Sequence, residues 1–232
     1  MLETIRGFAE ERYGDAADVR DAHSAFFSAW CARAREELYG GDDAAAVHDY
    51  EDEQHNVRAA VIWLHETDRS ENLLALIAHA IDFWEIRGEW AEGRRWADVA
   101  LQHGIEPRAR ARVLAMGGAF ARHARDWDAS RAYQLESLSI YRNLNDFDAT
   151  ASVLNGLSNV AAELGEFGEA EANLEEAIRV AQTAGSERMI ALCTGNLADL
   201  ALRQGHDGRA MELAITAVSY YRRLGWGPGL AW

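Results

Sequence analysis

The chain has 232 residues, of which 38 are acidic and 23 basic, so its formal net charge is −15 at pH 7. Because nucleic-acid binding draws much of its affinity from cations that neutralise phosphates, this charge argues against direct contact with DNA or RNA. All 23 basic residues are arginine, so there is no lysine for a Walker A phosphate loop or a Schiff base.

The first 69 residues are predicted to form helices that lead into a repeat array at 70–232. Apolar residues recur at helical spacing in three segments, residues 2–14, 18–38 and 51–66. The acidic run at 42–54 is most simply a solvated helical face, with an electrostatic patch for a basic partner as the alternative.

Glycine recurs at a fixed interval in the second half of the chain. It stands at positions 165, 185, 205 and 225, each 20 residues apart, and the next step back is Asn145. Both residue types readily adopt the left-handed conformation that ends a helix. One further step back is Arg125, where the register loses its capping residue. Each interval holds about 18 residues of helix and a short turn, which predicts antiparallel helices.

The repeating unit is a pair of helices with a period of 40. The segments 155–178 and 195–218 align at that offset, 115–138 lies one unit upstream, and 78–101 begins 37 residues before that copy. Small residues at one position are predicted to let two helices approach closely; they are Gly93, Ser130, Ala170 and Ala210. An aromatic residue just after the turn is predicted to fill the gap between the paired helices. This aromatic residue is Trp90, Trp127 and Phe167 in the first three copies, and Asp207 stands at its position in the last copy.

The small residue, the aromatic residue and the alanine-rich second helix resemble the tetratricopeptide repeat over residues 70–225. The resemblance implies an all-α fold, a right-handed superhelical solenoid of antiparallel helix pairs. The period of about 40 exceeds the roughly 34 residues typical of that repeat, which implies longer helices.

A second resemblance runs from Met1 to the end of the chain. The segments "MLETIRGFAEER", "HNVRAAVIWL" and "WEIRGEWAEGRRWADVAL" occur in this order, as in large bacterial regulators of the STAND class. Those are signal-transducing ATPases, many of them LuxR-family-like transcription factors. In them the "LETIR" helix closes a winged-helix module behind the ATPase domain, and tetratricopeptide repeats follow. Gly7 stands where the family usually has a charged residue. The resemblance implies a bacterial protein, and since no lysine is present, we expect a fragment or short relative that lacks the ATPase.

No pattern typical of catalysis or metal binding occurs. The eight histidines include no HExxH motif and no i, i+4 pair, and the glycine-rich segment 225–229 follows a helix rather than a strand. Trp84, Trp90 and Trp96 could form an aromatic ligand cage, but packing within the repeat is the favoured interpretation. We therefore predict no enzyme activity, no cofactor and no metal site.

The sequence predicts a cytoplasmic protein. It contains no run of about 18 apolar residues and no basic-then-apolar signal peptide. Cys31 and Cys193 have no CxxC partner, so we expect reduced thiols in the core.

A ligand-binding function is better supported than a catalytic one, because the first helix of each pair in such a solenoid lines a concave groove. Counting back from the aromatic positions gives seven candidate residues: Asp82, Arg122, His123, Asn155, Asn159, Asp199 and Arg203. Arg112, about one turn further from Trp127, is added as an eighth candidate. Asn155 and Asn159 are one turn apart, so their two amides could hold an extended peptide backbone. The resemblance supports this, since tetratricopeptide grooves often use asparagine for peptide recognition. The alternative is a solvated polar face with a local Asp199–Arg203 pair.

Two functions remain open from the sequence. The leading one is a non-catalytic sensor arm of a transcriptional regulator that binds a protein, a peptide or a small inducer, and thereby shifts the population of a neighbouring effector. The alternative is a free-standing scaffold or a peptide-pheromone receptor. No membrane partner is expected, and the apolar end "GLAW" could support a homo-oligomer.

Overall fold

The computed structural model describes residues 17–40, 43–102 and 105–225, and these residues form ten α-helices and no strand. In chain order they are α1 (Ala17–Gly40), α2 (Asp43–Glu66), α3 (Ser70–Ile86), α4 (Trp90–Leu101), α5 (Pro107–His123), α6 (Trp127–Asn143), α7 (Phe147–Glu163), α8 (Phe167–Ala184), α9 (Glu187–Arg203) and α10 (Asp207–Leu224). The predicted all-α solenoid of helix pairs is confirmed. Within the same ranges, no helix combines the length and the apolar character that crossing a membrane requires.

From α3 onward the helices alternate between two roles. The first helix of each pair, here called an A helix, is α3, α5, α7 or α9, and each has 17 residues. The second, the B helix, is α4, α6, α8 or α10, with 12, 17, 18 and 18 residues. The last three pairs begin 40 residues apart and the first begins 37 residues before the second, so the predicted periods are confirmed.

The turns keep the predicted register. Residues 145, 165, 185, 205 and 225 all have positive φ, and so does Arg125 at +59°. The structure therefore continues the turn pattern at the position where the sequence loses its capping residue. At Gly165, for example, the amide donates to Ala162 O at 3.2 Å and the next amide donates to Ala161 O at 2.8 Å. This hydrogen-bond pair satisfies the last carbonyls of the helix, which favours the left-handed turn even when the residue is an arginine.

The small residues lie where helices cross, as predicted. Ser130, Ala170 and Ala210 are buried. At Gly93 a Cβ atom would lie 2.6 Å from the Phe120 ring and 3.0 Å from the Trp84 Cβ, so α4 can approach its neighbours only because this side chain is absent.

The prediction that Trp90 fills the gap between its paired helices is wrong. Its side chain is 39% exposed, and its ring stacks on His123 of the next A helix with centroids 3.9 Å apart. The ring can reach this neighbour because it extends from the first residue of α4, at the junction between two repeats. Trp84 and Trp96 are buried in the core, so the three tryptophans do not form an open cage.

One continuous core joins the N-terminal helices to the repeats. Phe27 and Cys31 of α1 and Val57 of α2 belong to the same buried cluster as Ile77 of α3 and Phe120 of α5. A second cluster extends from α5 to α9. The boundary at residues 69 and 70 therefore stays a prediction.

Two predicted segments fall on the first helices. Helix α1 covers the predicted helix at 18–38, and α2 begins at Asp43, earlier than the predicted residue 51. Most of the acidic run thus lies in α2, where Asp49 and Asp52 are exposed while Ala46 and Tyr50 are buried. The predicted helix at 2–14 and the segment after Gly225 lie outside the described residues.

Candidate ligand-binding groove

Five of the eight predicted residues meet in one groove of about 340 Å³ between α7 and α9. Ala170 and Leu174 of α8 form part of its lining, and Arg122 reaches it from α5. We call this the asparagine groove; its polar lining consists of Arg122, Asn155, Ser158, Asn159, Glu163, Asn196, Asp199 and Arg203.

Asn155 is held in place by a partner from the next repeat. Its Oδ1 atom accepts a hydrogen bond from Asn196 Nδ2 at 2.6 Å and lies 4.0 Å from Cys193 Sγ. These contacts leave the Asn155 amide nitrogen as a donor and the Asn196 Oδ1 atom as an acceptor. The pair therefore offers a ligand the two groups that complement a peptide unit.

Sequence reasoning missed Asn196. It lies three residues before Asp199 and seven before Arg203, hence on the same face of α9. This helical spacing was the sequence signal that could have identified Asn196 as a groove residue. Gly156 stands at the equivalent position one repeat earlier, so comparison of repeats gave no sign of a functional amide there.

Asn159 and Asp199 line the groove with side chains that are available to a ligand. Asn159 is half-buried and Asp199 exposed, and neither forms a hydrogen bond or ion pair within the described ranges. Asn159 lies one turn after Asn155 on α7, as predicted, so both amides border the same space.

Arg203 does not form the local pair with Asp199 that the alternative interpretation assumed. It donates instead to Ala162 O at 2.9 Å and pairs with Glu163 at 3.6 Å, both on α7. Its guanidinium also lies 5.7 Å from the centre of the Phe167 ring. Arg203 thus joins two repeats and closes one end of the groove. The local-pair interpretation is wrong because α7 offers the guanidinium better-placed partners.

Arg122 contributes a cation at the α5 side of the groove. It is half-buried, and its contact within the described part of the chain is to His123 Nε2 at 3.5 Å, with no carboxylate paired to it there.

Asp82 and Arg112 lie elsewhere, in a larger cavity of about 670 Å³ bordered by α3, α5, α7 and α9. The Arg112 Nε atom donates to Ala78 O at 2.7 Å, and its guanidinium pairs with Asp82, which Arg35 of α1 also approaches at 3.3 Å. We call this the arginine cavity; its polar lining includes Arg35, His79, Asp82, Glu106, Arg108, Arg112, Tyr141, Asp146, Asp148 and Arg188.

His123 lines neither space. Its ring is parallel to that of Trp90 within 7°, and its Nε2 atom lies 3.1 Å from Glu85 Oε1. The equivalent residue 80 positions later is Arg203, which covers Phe167. In α5 and α9 the last residue of the A helix thus packs on the first aromatic residue of the preceding B helix, a role that helical spacing alone does not reveal.

The site carries no sign of nucleophilic or metal chemistry in the part of the chain that is described. No three His, Cys, Asp or Glu side chains there are grouped to hold a metal ion. Cys31 and Cys193 are buried free cysteines, and burial raises the pKa of each thiol to about 12. Both stay protonated and unreactive at neutral pH.

The fold and the groove are those of a helical-repeat protein, and comparison with known proteins identifies the type of repeat. Residues 109–183 and 150–223 match the family model described as tetratricopeptide repeat, so this part of the chain carries tetratricopeptide repeats.

Solved structures share the fold at low sequence identity. A "putative kinesin light chain" of nearly identical TPR-like repeats from Podospora anserina superposes with a TM-score of 0.64 at 14% identity. The match covers 88% of this chain and 98% of that one. BtubC from P. vanneervenii gives 0.58 at 17% identity, over 78% and 74% of the two chains. At these identities the likeness concerns the fold alone.

Sequence relatives occur among much longer proteins. Over 123 residues the chain is 30% identical to "Putative HTH-type transcriptional regulator Rv0890c" of Mycobacterium tuberculosis. The protein "Putative HTH-type transcriptional regulator Mb0914c" of Mycobacterium bovis matches equally. The matched segment is 50% of this chain but only 14% of the length of each regulator.

Proposed function

We propose that this chain is a non-catalytic binding module that receives an extended peptide, or an extended segment of a protein, in the asparagine groove. The observation that carries the proposal is the amide cluster of Asn155, Asn159 and Asn196, which lines one concave space from two successive A helices.

The spacing of the amides suits a peptide backbone. Side chains one helical turn apart have Cβ atoms about 5–6 Å apart, close to the roughly 6.6 Å spanned by two residues of an extended chain. Asn155 and Asn159 would therefore meet peptide units two residues apart. Asn155 offers its amide nitrogen as a donor, Asn196 offers its Oδ1 atom as an acceptor, and Asn159 offers both groups. These contacts would recognise the peptide backbone and leave side-chain selection to the rest of the groove.

Charges at the groove ends would orient the peptide. Arg122 lies on the α5 side, and Asp199 lies on α9 with no described partner. A peptide with an acidic residue near α5 and a basic residue near α9 would complement both. Since both side chains are partly or fully exposed, we expect them to contribute more to specificity than to affinity.

We further propose that the module is the sensor arm of a transcriptional regulator. The support is the 30% identity to the mycobacterial HTH-type regulators, together with the resemblance to STAND-class proteins. In this proposal the peptide favours one arrangement of a neighbouring effector domain, which requires different affinities for two states.

A displayed library of random peptides tests the binding role. The full chain would be used for selection, and enriched peptides would then be titrated against the wild type and the double variant Asn155→Ala/Asn159→Ala. Because two hydrogen-bonding amides are removed, we expect about a tenfold or greater loss of affinity. Gln182→Ala, an exposed amide on α8 outside the groove, is the matched control and should bind like the wild type. Equal binding by the double variant would exclude the asparagine groove as the site.

A further inference from the structure

The arginine cavity has the dimensions of a small-molecule site. Its volume of about 670 Å³ lies within the range of roughly 300–1,000 Å³ typical of such sites. It is bordered by the first halves of α5 and α7, the start of α9 and the middle of α3, and it shares no lining residue with the asparagine groove.

Arg112 is held in this cavity by two fixed contacts. Ala78 O receives its Nε proton and the Asp82 carboxylate receives an Nη2 proton. A guanidinium has five N–H donors, so donors remain that these two contacts do not use. Asp82 is only 4% exposed, which gives the guanidinium a rigid anchor.

The Asp82–Arg112 pair joins α3 to α5 but does not recur in the other repeats. The positions equivalent to Arg112 in the other repeats hold uncharged residues, namely Ala75, Ser152 and Leu192. A buried ion pair seldom adds stability over apolar residues of similar size. The pair therefore makes better sense as a positioned guanidinium than as a structural element.

Two further donors face the same space. Tyr141 is 5% exposed and lines the cavity, and its hydroxyl forms no hydrogen bond with the residues described in 17–40, 43–102 and 105–225. Burial raises the pKa of Tyr141 to about 12, so the phenol keeps its proton at neutral pH. Burial, together with the charges of Arg35 and Arg112, lowers the pKa of His79, so its ring is neutral and offers one N–H group.

The rest of the lining sets the shape and charge of the ligand. Alanine and methionine side chains, among them Ala109, Met116 and Met189, provide apolar surface. Where α5 and α7 begin, the edge carries carboxylates: Glu106 and Asp146 cap these helices, and Asp148 follows in the first turn of α7. Asp146 is paired with Arg108, whereas Glu106 and Asp148 form no ion pair within the described part of the chain, so a second negative group on a ligand would meet these two carboxylates.

We propose that the arginine cavity binds a small organic monocarboxylate, whose carboxylate contacts Arg112 and Tyr141 and whose apolar body packs on the methionine and alanine side chains. This site is separate from the peptide groove, and either one can be present without the other.

Calorimetric titration of the full chain at pH 7 tests the proposal with three six-carbon probes, and with benzoate as a second acid. We expect hexanoate or benzoate to bind saturably at one site. Hexanamide, which lacks the charge, and adipate, which carries a second carboxylate, should bind at least about tenfold more weakly than hexanoate.

Variants locate the site. Tyr141→Phe keeps the buried ring and removes only the hydroxyl, so acid affinity should fall about fivefold. Arg112→Met should lower it at least about tenfold. Arg110→Met is the matched control, because Arg110 is on the same helix but pairs with Glu136 away from the cavity. The acid affinity of the Arg110→Met variant should stay within about twofold of that of the wild type.

Several outcomes would overturn the proposal. They are the absence of saturable binding by both acids, binding of hexanamide as tight as that of hexanoate, and an acid affinity unchanged by Tyr141→Phe. Far-ultraviolet circular dichroism of each variant checks that the helices are retained, and Tyr141→Phe keeps the test valid if Arg112→Met does not fold.

Discussion

At position 93 a single missing side chain sets the distance between three helices. Any residue larger than glycine would place its Cβ atom 2.6 Å from the Phe120 ring and 3.0 Å from the Trp84 Cβ atom. Both neighbours are buried aromatic residues with little room to move. The equivalent positions in later repeats hold Ser130, Ala170 and Ala210, so a small side chain fits there because the neighbouring residues differ.

Gly93→Ala should therefore destabilise the protein, by about 1–3 kcal/mol, because the overpacked ring must shift. Gly168→Ala is the matched control: this helical glycine of α8 has no atom within 4 Å of its ideal Cβ position. It should be neutral or raise stability by up to about 1 kcal/mol. Urea-induced unfolding followed by circular dichroism measures both. A midpoint for Gly93→Ala at or above that of the wild type would contradict the packing described here.

Single residues also show what a sequence can predict about this site. Asn155, Asn159, Asp199 and Arg203 reach the predicted groove because helical spacing determines which face a residue occupies. Their partners depend on the neighbouring repeat. Arg203 turns to Glu163, and Asp82 pairs with Arg112 across two helices, so neither contact follows from local spacing.

Between elements, ion pairs connect each repeat to the next. Arg131 pairs with Glu166, Arg142 with Glu176, and Arg209 with Glu171. These side chains are partly exposed, so each pair contributes at most about 1 kcal/mol. Arg58 of α2 differs, because it contacts both oxygens of Glu92 and also Glu89 at the start of α4.

The Arg58–Glu92 contact should make stability depend on acid pH. Burial acts to raise the pKa of Glu92, but the hydrogen bonds and charge of Arg58 outweigh it, so the pKa lies below its ordinary value of 4.5. A lowered carboxyl pKa stabilises the fold above the unfolded value, and this contribution is lost as the pH falls through the folded value.

Glu92→Gln should then cost about 1 kcal/mol at pH 7, with the difference from the wild type shrinking as the pH falls below 4.5. Unfolding midpoints in urea at several pH values measure this difference. Glu175→Gln, an exposed carboxylate on α8, should show no such trend. A constant difference between wild type and Glu92→Gln across the acid range would contradict the account of this contact.

The elements themselves were largely predictable. Turn residues every 20 positions and a 40-residue period are local signals, and the helices begin and end where these signals predict. The turn at Arg125 was not predictable, because packing of the helix pairs overrides the preference of one residue. The start of α2 at Asp43 was also missed. The exposure of Trp90 likewise depends on His123 in the next repeat.

In the whole molecule, the stacked helix pairs place the A helices side by side. The asparagine groove and the arginine cavity both lie along these A helices. The asparagine groove offers amides suited to a peptide backbone, and the arginine cavity offers donors suited to a carboxylate. A net charge of −15 favours neither DNA nor RNA as the partner of this segment. The proposed role as one arm of a regulator draws its support from the 30% identity between half of this chain and a small part of larger HTH-type regulators.

Hydrogen exchange with a peptide selected from the library tests the central claim most directly. Exchange of backbone amides in the full chain would be followed by mass spectrometry, with and without saturating peptide. We predict slower exchange in α7 and α9, around residues 155–163 and 192–203, and unchanged exchange in α1. Protection confined to the N-terminal helices, or no protection at saturation, would contradict binding in the asparagine groove.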